Sequence, residues 1–154
     1  MSIAHQETIE LQATPAQVRQ FIMTPERILD YYPLGLEGGE FEPGRAYWCS
    51  SEMGVSLLEM LPNQCSDDLV VIKVTTAIGL EAPFTRESIE AAAAFTMIED
   101  WALTSAGSGT TLLKTWRDIE MAEGFDFPIA DGLVENAKHE TDALVEGWNR
   151  AARL

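Results

Sequence analysis

Positive charge is scarce in this sequence. Lysine and arginine together number 10, against 25 aspartate and glutamate residues, and the formal net charge is −15. Nucleic acids and anionic membrane surfaces bind clustered positive charge. We therefore expect no nucleic-acid partner, and we interpret the acidity as that of a well-hydrated surface.

Long apolar runs are also missing. The apolar runs are only a few residues long, whereas a membrane-spanning helix needs ~20. The opening segment, MSIAHQETIE, has neither the basic region nor the apolar region of a signal peptide. These absences predict a cytoplasmic protein without a membrane span.

Reactive side chains are few. The cysteines, Cys49 and Cys65, lack the spacing of a CxxC motif or of a Cys/His metal site, so we expect reduced structural thiols. The histidines, His5 and His139, form no HExxH motif, and the sequence contains no P-loop, GxGxxG or GxSxG. The sequence therefore predicts no metal and no cofactor, and it indicates no particular oligomeric state.

The length of 154 residues predicts one domain, residues 1–154. ETIELQA alternates as a half-buried strand does. TPAQVRQFI and TPERILDYY each place a threonine N-cap before a proline at the first helical position. Further strand segments follow, and residues 129–154 repeat apolar side chains every three or four positions. This order predicts an α+β fold: one strand, two short helices, and a curved antiparallel sheet wrapped on a long C-terminal helix.

Four segments carry a resemblance to a known family. They are ETIELQATPAQVRQFIMTPERILDYYP, PGRAYWCSSEMGVSLLEMLPNQCSDDLVVIKV, WALTSAGSGTTLLKTWRDIEM and the helix 130–154. Their order and spacing resemble the SRPBCC superfamily, also called START-like, whose fold is the helix-grip. The chain is most similar to members labelled polyketide cyclase/dehydratase-like. The resemblance implies a deep apolar cavity between the sheet and the long helix.

That resemblance leaves three functions open, because a fold hosts many functions. The first is binding of a small hydrophobic molecule such as a lipid or a polyketide. The second is a cyclase/dehydratase-type enzyme that acts in the cavity. The third is a protein-interaction module, since some START-like domains contact protein partners.

The hairpin around residues 105–109 carries the candidate catalytic groups, Glu99 and Arg117. Glu99 shares one strand face with the apolar side chains Phe95, Met97, Trp101 and Leu103. With positions 104 and 110 paired, Arg117 is a diagonal neighbour of Glu99, and with the register shifted by one residue Lys114 lies opposite Glu99. The resemblance favours as inward side chains Leu112, Lys114 and Trp116. Glu99 is then either a buried acid or base with a raised pKa, or a structural ion-pair partner.

The candidates for ligand contact are side chains that the predicted fold directs toward the cavity. They are Trp48, Phe84, Met97, Trp101, Lys114, Trp116, Thr141, Leu144 and Trp148. Aromatic side chains at such spacings are also typical of an ordinary core. We further expect the loop GLEAPF and the helical stretch after it, TRESIEAAAA, to cover the mouth of the cavity.

Overall fold

A computed structural model describes residues 1–22, 36–40, 46–51, 54–125, 141–143 and 145–149. In these ranges seven strands form one curved antiparallel sheet in the order β1-β7-β6-β5-β4-β3-β2. The strands are β1 Ile3–Leu11, β2 Leu36–Glu40, β3 Ala46–Ser51, β4 Gly54–Met60, β5 Leu69–Ala77, β6 Ala93–Ala106 and β7 Gly109–Met121. Helix α1 spans Pro15–Ile22, helix α2 spans Arg86–Ala91, and Pro62–Gln64 form a 3-10 turn. The predicted α+β class is confirmed.

Helix α1 begins where the sequence predicts. The Thr14 hydroxyl accepts a hydrogen bond from the Gln17 backbone N–H at 3.3 Å, and the Gln17 side chain accepts one from the Thr14 backbone N–H at 2.9 Å. This reciprocal cap satisfies two donors that the helix itself cannot. The second predicted short helix, TPERILDYY, lies outside the described residues.

Helix α2 lies within the predicted helical stretch TRESIEAAAA but is shorter, because Ala93 and Ala94 already belong to β6. The side chains and backbones of Thr85 and Ser88 form a capping box. The fully buried Ile89 faces the sheet, and Arg86 binds Glu59 of β4 at 2.8 Å. None of the helices in the described ranges combines the length and the apolar character that crossing a bilayer requires.

Residues 141–143 and 145–149 are helical, and we call them the C-terminal helical segment. Trp148 of this segment is buried and contacts Phe21 of α1 edge-to-face, with ring centroids 4.9 Å apart. The structure thus supports the helix predicted over residues 129–154 only at these positions. The rest of that range lies outside the described part of the chain, so the predicted length is not confirmed.

The sheet packs on both of its faces. We call inner the face that carries the cross-strand row Tyr47, Leu58, Val74 and Met97. These side chains join Phe21 and Trp148 in the larger apolar core, so α1 and the C-terminal helical segment cover this face. The opposite, outer face carries a second apolar cluster on β3, β4 and β5, which α2 covers.

The β6–β7 hairpin has a register that differs from both predicted registers. Ser105 lies opposite Thr110, and Glu99 lies opposite Trp116. The last pair of the hairpin is Ala106 opposite Gly109, so only residues 107 and 108 form the turn, and Gly107 has a φ of 61°. Such short turns match the twist of the strands, whereas the longer predicted loop would have ended them earlier. The inward side chains of β7 are nevertheless those favoured from the resemblance: Leu112, Lys114 and Trp116.

Candidate functional site

Polar side chains meet on the inner face where β1, β7 and β6 lie side by side. Strand pairing places Glu7 of β1 opposite Lys114 of β7, and Lys114 opposite Trp101 of β6. Glu99 stands two residues before Trp101 on the same face. We call His5, Glu7, Glu99, Lys114 and Thr141 the polar cluster. It lies within a mostly apolar face and contains the buried charged groups of that face, which makes it the candidate functional site.

The centre of the polar cluster is a buried ion pair. Lys114 Nζ lies 3.7 Å from Glu99 Oε1, and the two side chains are only 1% and 4% exposed. The Trp116 indole N–H donates to the same Glu99 oxygen at 2.9 Å. Burial raises the pKa of Glu99 above its ordinary value, although the charge of Lys114 and the Trp116 hydrogen bond oppose that effect. Glu99 therefore has the environment of a group that can gain and lose a proton.

Aromatic faces complete the surroundings of the lysine. Lys114 Nζ lies 5.4 Å from the ring centroid of Trp101 and 4.8 Å from that of Trp116. Both distances are within the range of cation–π attraction, which strengthens when water is excluded. The ammonium group is thus held by charge on one side and by π-electron density on two others.

Glu7 links the sheet to the C-terminal helical segment. The Thr141 hydroxyl donates a short hydrogen bond to Glu7 Oε2. His5 Nε2 lies 3.2 Å from the same oxygen. Burial acts to raise the pKa of Glu7, but the Thr141 hydroxyl, His5 and the charge of Lys114 together outweigh it and hold the pKa below its ordinary value. Glu7 is therefore the more acidic of the two carboxyl groups beside Lys114.

Several predicted ligand contacts come together around this cluster. Trp101 and Trp148 are in ring contact, with centroids 5.9 Å apart. Met97 is buried in the same core, and Trp116 and Thr141 are hydrogen-bonded to the two carboxylates. Lys114, another predicted ligand contact, supplies the ammonium group of the cluster. Leu144 lies outside the described residues.

Arg117 lies away from this site, contrary to the register that made it a neighbour of Glu99. Its guanidinium binds Asp100 at 2.6 Å and Asp118 at 2.7 Å on the outer side of the sheet. The hydrogen bond to Asp100, reinforced by Asp118, raises the pKa of Arg117 further above its already high value. The reason is the alternation of side chains along β7. Even-numbered positions up to Trp116 point inward in the observed register, so the side chain of Arg117 points outward. The cation next to Glu99 is Lys114.

Trp48 and Phe84 also lie elsewhere than expected. Trp48 is buried in the outer cluster with Ile89 of α2, and Phe84 packs against that cluster. The loop before α2 and α2 itself therefore cover the outer face of the sheet rather than the mouth of an inner cavity. Apolar side chains on both faces of β3 and β4 made either assignment compatible with the sequence.

Two residues of the polar cluster, His5 and Glu7, were not among the predicted site residues. The alternation of ETIELQA contained the signal for Glu7, because Glu7 has the same parity as the buried Ile9 and Leu11. His5 pairs with Trp116 in the sheet, and its ring lies 5.8 Å from the Trp116 ring.

The polar cluster contains residue types that can bind metals, but they are not grouped as in a metal centre. Over the ranges that the structure describes, no three His, Cys, Asp or Glu side chains are grouped so that they could hold a metal ion. The cluster instead combines one ammonium, two carboxyl groups of unequal acidity, a hydroxyl and an imidazole. Its chemical capacity is hydrogen bonding and proton transfer.

Solved structures share this fold. The Mll3558 protein from Rhizobium loti is 19% identical, with a TM-score of 0.65 over 93% of this chain and 96% of that one. DynU16, a protein in the dynemicin biosynthetic locus, is 13% identical with a TM-score of 0.57, over 92% of this chain and 45% of that one. The Aha1 dimer from Colwellia psychrerythraea is 12% identical with a TM-score of 0.55, over 92% and 96%.

These neighbours are consistent with a helix-grip-like fold, and at such identities the likeness concerns the fold alone. No protein-family model matches this chain, and no curated protein sequence matches it.

Proposed function

We propose that this protein binds a small hydrophobic molecule between the inner face and the C-terminal helical segment, as a START-like protein of the SRPBCC type. The observation that carries the proposal is the Lys114–Glu99 pair, 1% and 4% exposed within an apolar face. Ligand sites commonly combine apolar walls with a few polar groups that orient the ligand. The polar cluster supplies such groups, and Trp101 and Trp148 supply such walls.

Stability alone is a poor explanation for this pair. Removing two charges from water costs several kcal/mol per ion, and apolar side chains of similar volume are often at least as stable in the same place. Buried ionisable groups with shifted pKa values are, in contrast, frequent at functional sites. The pair is therefore better explained by a role toward a ligand than by a role in folding.

The experiment is to identify what the protein carries and whether Glu99 holds it. Native mass spectrometry of protein purified from its own host should show a bound small molecule. Glu99→Gln, which keeps shape and removes charge, should weaken binding of that molecule while circular dichroism shows a retained fold. The matched control is Asp100→Asn, the same chemical change on the next residue of β6 and on the outer face. Equal affinities for wild type and Glu99→Gln would contradict a role of Glu99 toward the ligand.

A second candidate function is proton-transfer catalysis in the same site. The raised pKa of Glu99 favours it, because a general acid or base works best when its pKa lies near the working pH. DynU16 belongs to a biosynthetic locus, which is compatible with an enzyme of the cyclase/dehydratase type. Incubation of the host-derived molecule with fresh protein distinguishes the two functions. A carrier returns the molecule unchanged, whereas an enzyme converts it, and Glu99→Gln should then abolish the conversion.

A protein-interaction module has less support in this structure. An exposed apolar patch on the outer face would favour it. Among the described residues the large exposed apolar side chains are Met1, Ile3 and Phe125, and none of them lies on the outer face of β3, β4 or β5.

A further inference from the structure

Two buried indole N–H groups on the inner face have no acceptor among the described residues. They belong to Trp101 of β6 and Trp148 of the C-terminal helical segment, and each residue is 3% exposed. Their rings are in contact at 5.9 Å between centroids. A buried donor that has lost water and gained no acceptor destabilises the folded state, and nearly all such groups in proteins are hydrogen-bonded. Among the described residues, these two donors therefore lack the acceptor that a bound ligand would supply.

The other two tryptophans, Trp116 and Trp48, differ from Trp101 and Trp148 in their hydrogen bonds or in their location. The Trp116 N–H already donates to Glu99 at 2.9 Å. The Trp48 N–H also has no acceptor in the described ranges, but Trp48 lies in the outer cluster and packs over Gly38 of β2. Trp101 and Trp148 are thus the two unsatisfied indoles that face the proposed binding space, and Trp48 is a matched reference on the opposite face.

We propose that the ligand is a neutral, largely apolar molecule with a carbonyl oxygen, and that Trp101 and Trp148 donate hydrogen bonds to that oxygen. The inference rests on the proposed function, because it names the ligand class for the same site. An indole N–H donates and cannot accept, so its partner must carry an acceptor. A carbonyl oxygen has two lone pairs and can accept from both rings at once.

The charges nearby favour a neutral acceptor over an anionic one. Lys114 Nζ lies 5.4 Å from the Trp101 ring centroid, so the polar cluster adjoins the two indoles. That cluster already holds two carboxyl groups, Glu7 and Glu99, against one lysine. A ligand carboxylate would add a third acidic group to a site shielded from water, where like charges repel strongly.

The test uses three probes of matched shape: 2-acetylnaphthalene, 2-ethylnaphthalene and 2-naphthoate. The first carries a neutral carbonyl, the second has no acceptor and the third is an anion. Isothermal titration calorimetry of the wild-type protein should give the tightest binding to 2-acetylnaphthalene. We expect a preference of about tenfold over 2-ethylnaphthalene, the size that one or two net hydrogen bonds produce. Transfer from water alone would favour the ethyl compound, which is the more apolar.

Phenylalanine variants show which residues cause the preference for 2-acetylnaphthalene over 2-ethylnaphthalene. Trp101→Phe and Trp148→Phe keep an aromatic ring and remove the N–H, so each should weaken 2-acetylnaphthalene binding by about two- to tenfold. Binding of 2-ethylnaphthalene should change by less than twofold in the same variants. Trp48→Phe should change neither. Melting curves of all three variants show whether a loss of affinity reflects a loss of folded protein.

A measurement on the wild-type protein complements the variants. The four tryptophans give four indole N–H resonances in a nitrogen–proton correlation spectrum, which the Phe variants assign. Adding 2-acetylnaphthalene should move the Trp101 and Trp148 proton signals downfield, as hydrogen-bonded protons are, and leave Trp48 in place. Equal affinity for the acetyl and ethyl probes, or unmoved Trp101 and Trp148 signals in the bound state, would overturn the inference while the binding function stands. Binding of none of the three probes would count against the proposed function itself.

Discussion

Lys114 Nζ lies 3.7 Å from Glu99 Oε1 although the two residues are not opposite each other in the sheet. Strand pairing sets Lys114 opposite Trp101 and Glu99 opposite Trp116, so the ion pair runs diagonally across β6 and β7. Diagonal neighbours on one sheet face are within reach of long side chains. The indoles of Trp101 and Trp116 flank the ammonium group of Lys114, and this arrangement excludes water from the ion pair.

Removing one member of this pair should be much more damaging than removing both. Glu99→Gln or Lys114→Met leaves an uncompensated buried group, and we expect each to lower the free energy of unfolding by about 3 kcal/mol. The double variant should recover most of that loss, because an uncharged side chain then replaces each ion. Urea denaturation of the four proteins in a double-mutant cycle measures the coupling. Additive losses would show that the two groups do not interact.

The two carboxyl groups of the polar cluster should affect stability with opposite dependence on pH. The raised pKa of Glu99 means that the folded state holds this proton at pH values where the unfolded chain has released it. The stability that Glu99 contributes should therefore fall as the pH rises from its ordinary pKa of 4.5 through the folded value. Thermal melting across this range should show the melting temperature of the wild type falling relative to that of Glu99→Gln as the pH increases.

Glu7 should behave in the opposite way. Its lowered pKa means that the ionised form is favoured in the folded state, so its contribution is present above 4.5 and is lost as the pH falls through the folded value. The stability difference between wild type and Glu7→Gln should shrink on acidification. Glu10→Gln is the control, because Glu10 is on the same strand, is exposed and bonds only to Thr111 in the contacts described. A difference that stays constant with pH would argue against the hydrogen-bonded carboxylate.

Gly109→Ala should disrupt the docking of β1 onto β7. A Cβ at position 109 would lie 2.2 Å from the backbone oxygen of Leu11, and a backbone atom cannot move aside as a side-chain end can. We expect a loss of about 1–3 kcal/mol or more in the free energy of unfolding. Gly107→Asn, in the turn just before β7, is the control, since nothing lies within 4 Å of a Cβ there and asparagine tolerates its φ of 61°. Equal stability of the two variants would contradict the close approach.

The outer cluster should matter for stability and not for ligand affinity. Ile89→Ala removes a fully buried side chain, and the expected loss is about 2–5 kcal/mol. The affinity for 2-acetylnaphthalene, measured below the melting temperature, should stay within twofold of wild type. Phe84→Leu should likewise leave the affinity unchanged. A tenfold loss of affinity in either variant would indicate that the ligand binds at the outer face.

Local sequence rules predicted the parts of the fold that local physics decides. The Thr14 cap was predictable because capping depends on residues within four positions of each other. The inward direction of Glu99 was predictable because side chains alternate in a strand whatever its register. The register itself was not, since it depends on whether the turn takes two residues or five, and a Ser/Gly-rich segment permits both.

The faces of β3, β4 and β5 were the harder problem. The segment LVVIKVTTA is buried at nearly every position on both sides, so its alternation carries no information about which side is inner. Trp48 therefore had no local feature that separated the outer cluster from the inner core. The Glu7–Thr141 contact was likewise beyond sequence reasoning, because it joins residues 134 positions apart.

The pairing of β1 with β7 has a kinetic consequence. Strands β2 to β7 each hydrogen-bond to the strand that adjoins them in sequence, whereas Leu11 of β1 finds its partner Thr110 only about a hundred residues later. A ribosome adds about 5–20 residues per second, so during synthesis β1 remains unpaired for roughly 5–20 s. Contacts so distant in sequence also form slowly once the chain is free. Ile9 and Leu11 are thus exposed until the meander is nearly complete, which makes this strand the segment that a cotranslational chaperone would shield.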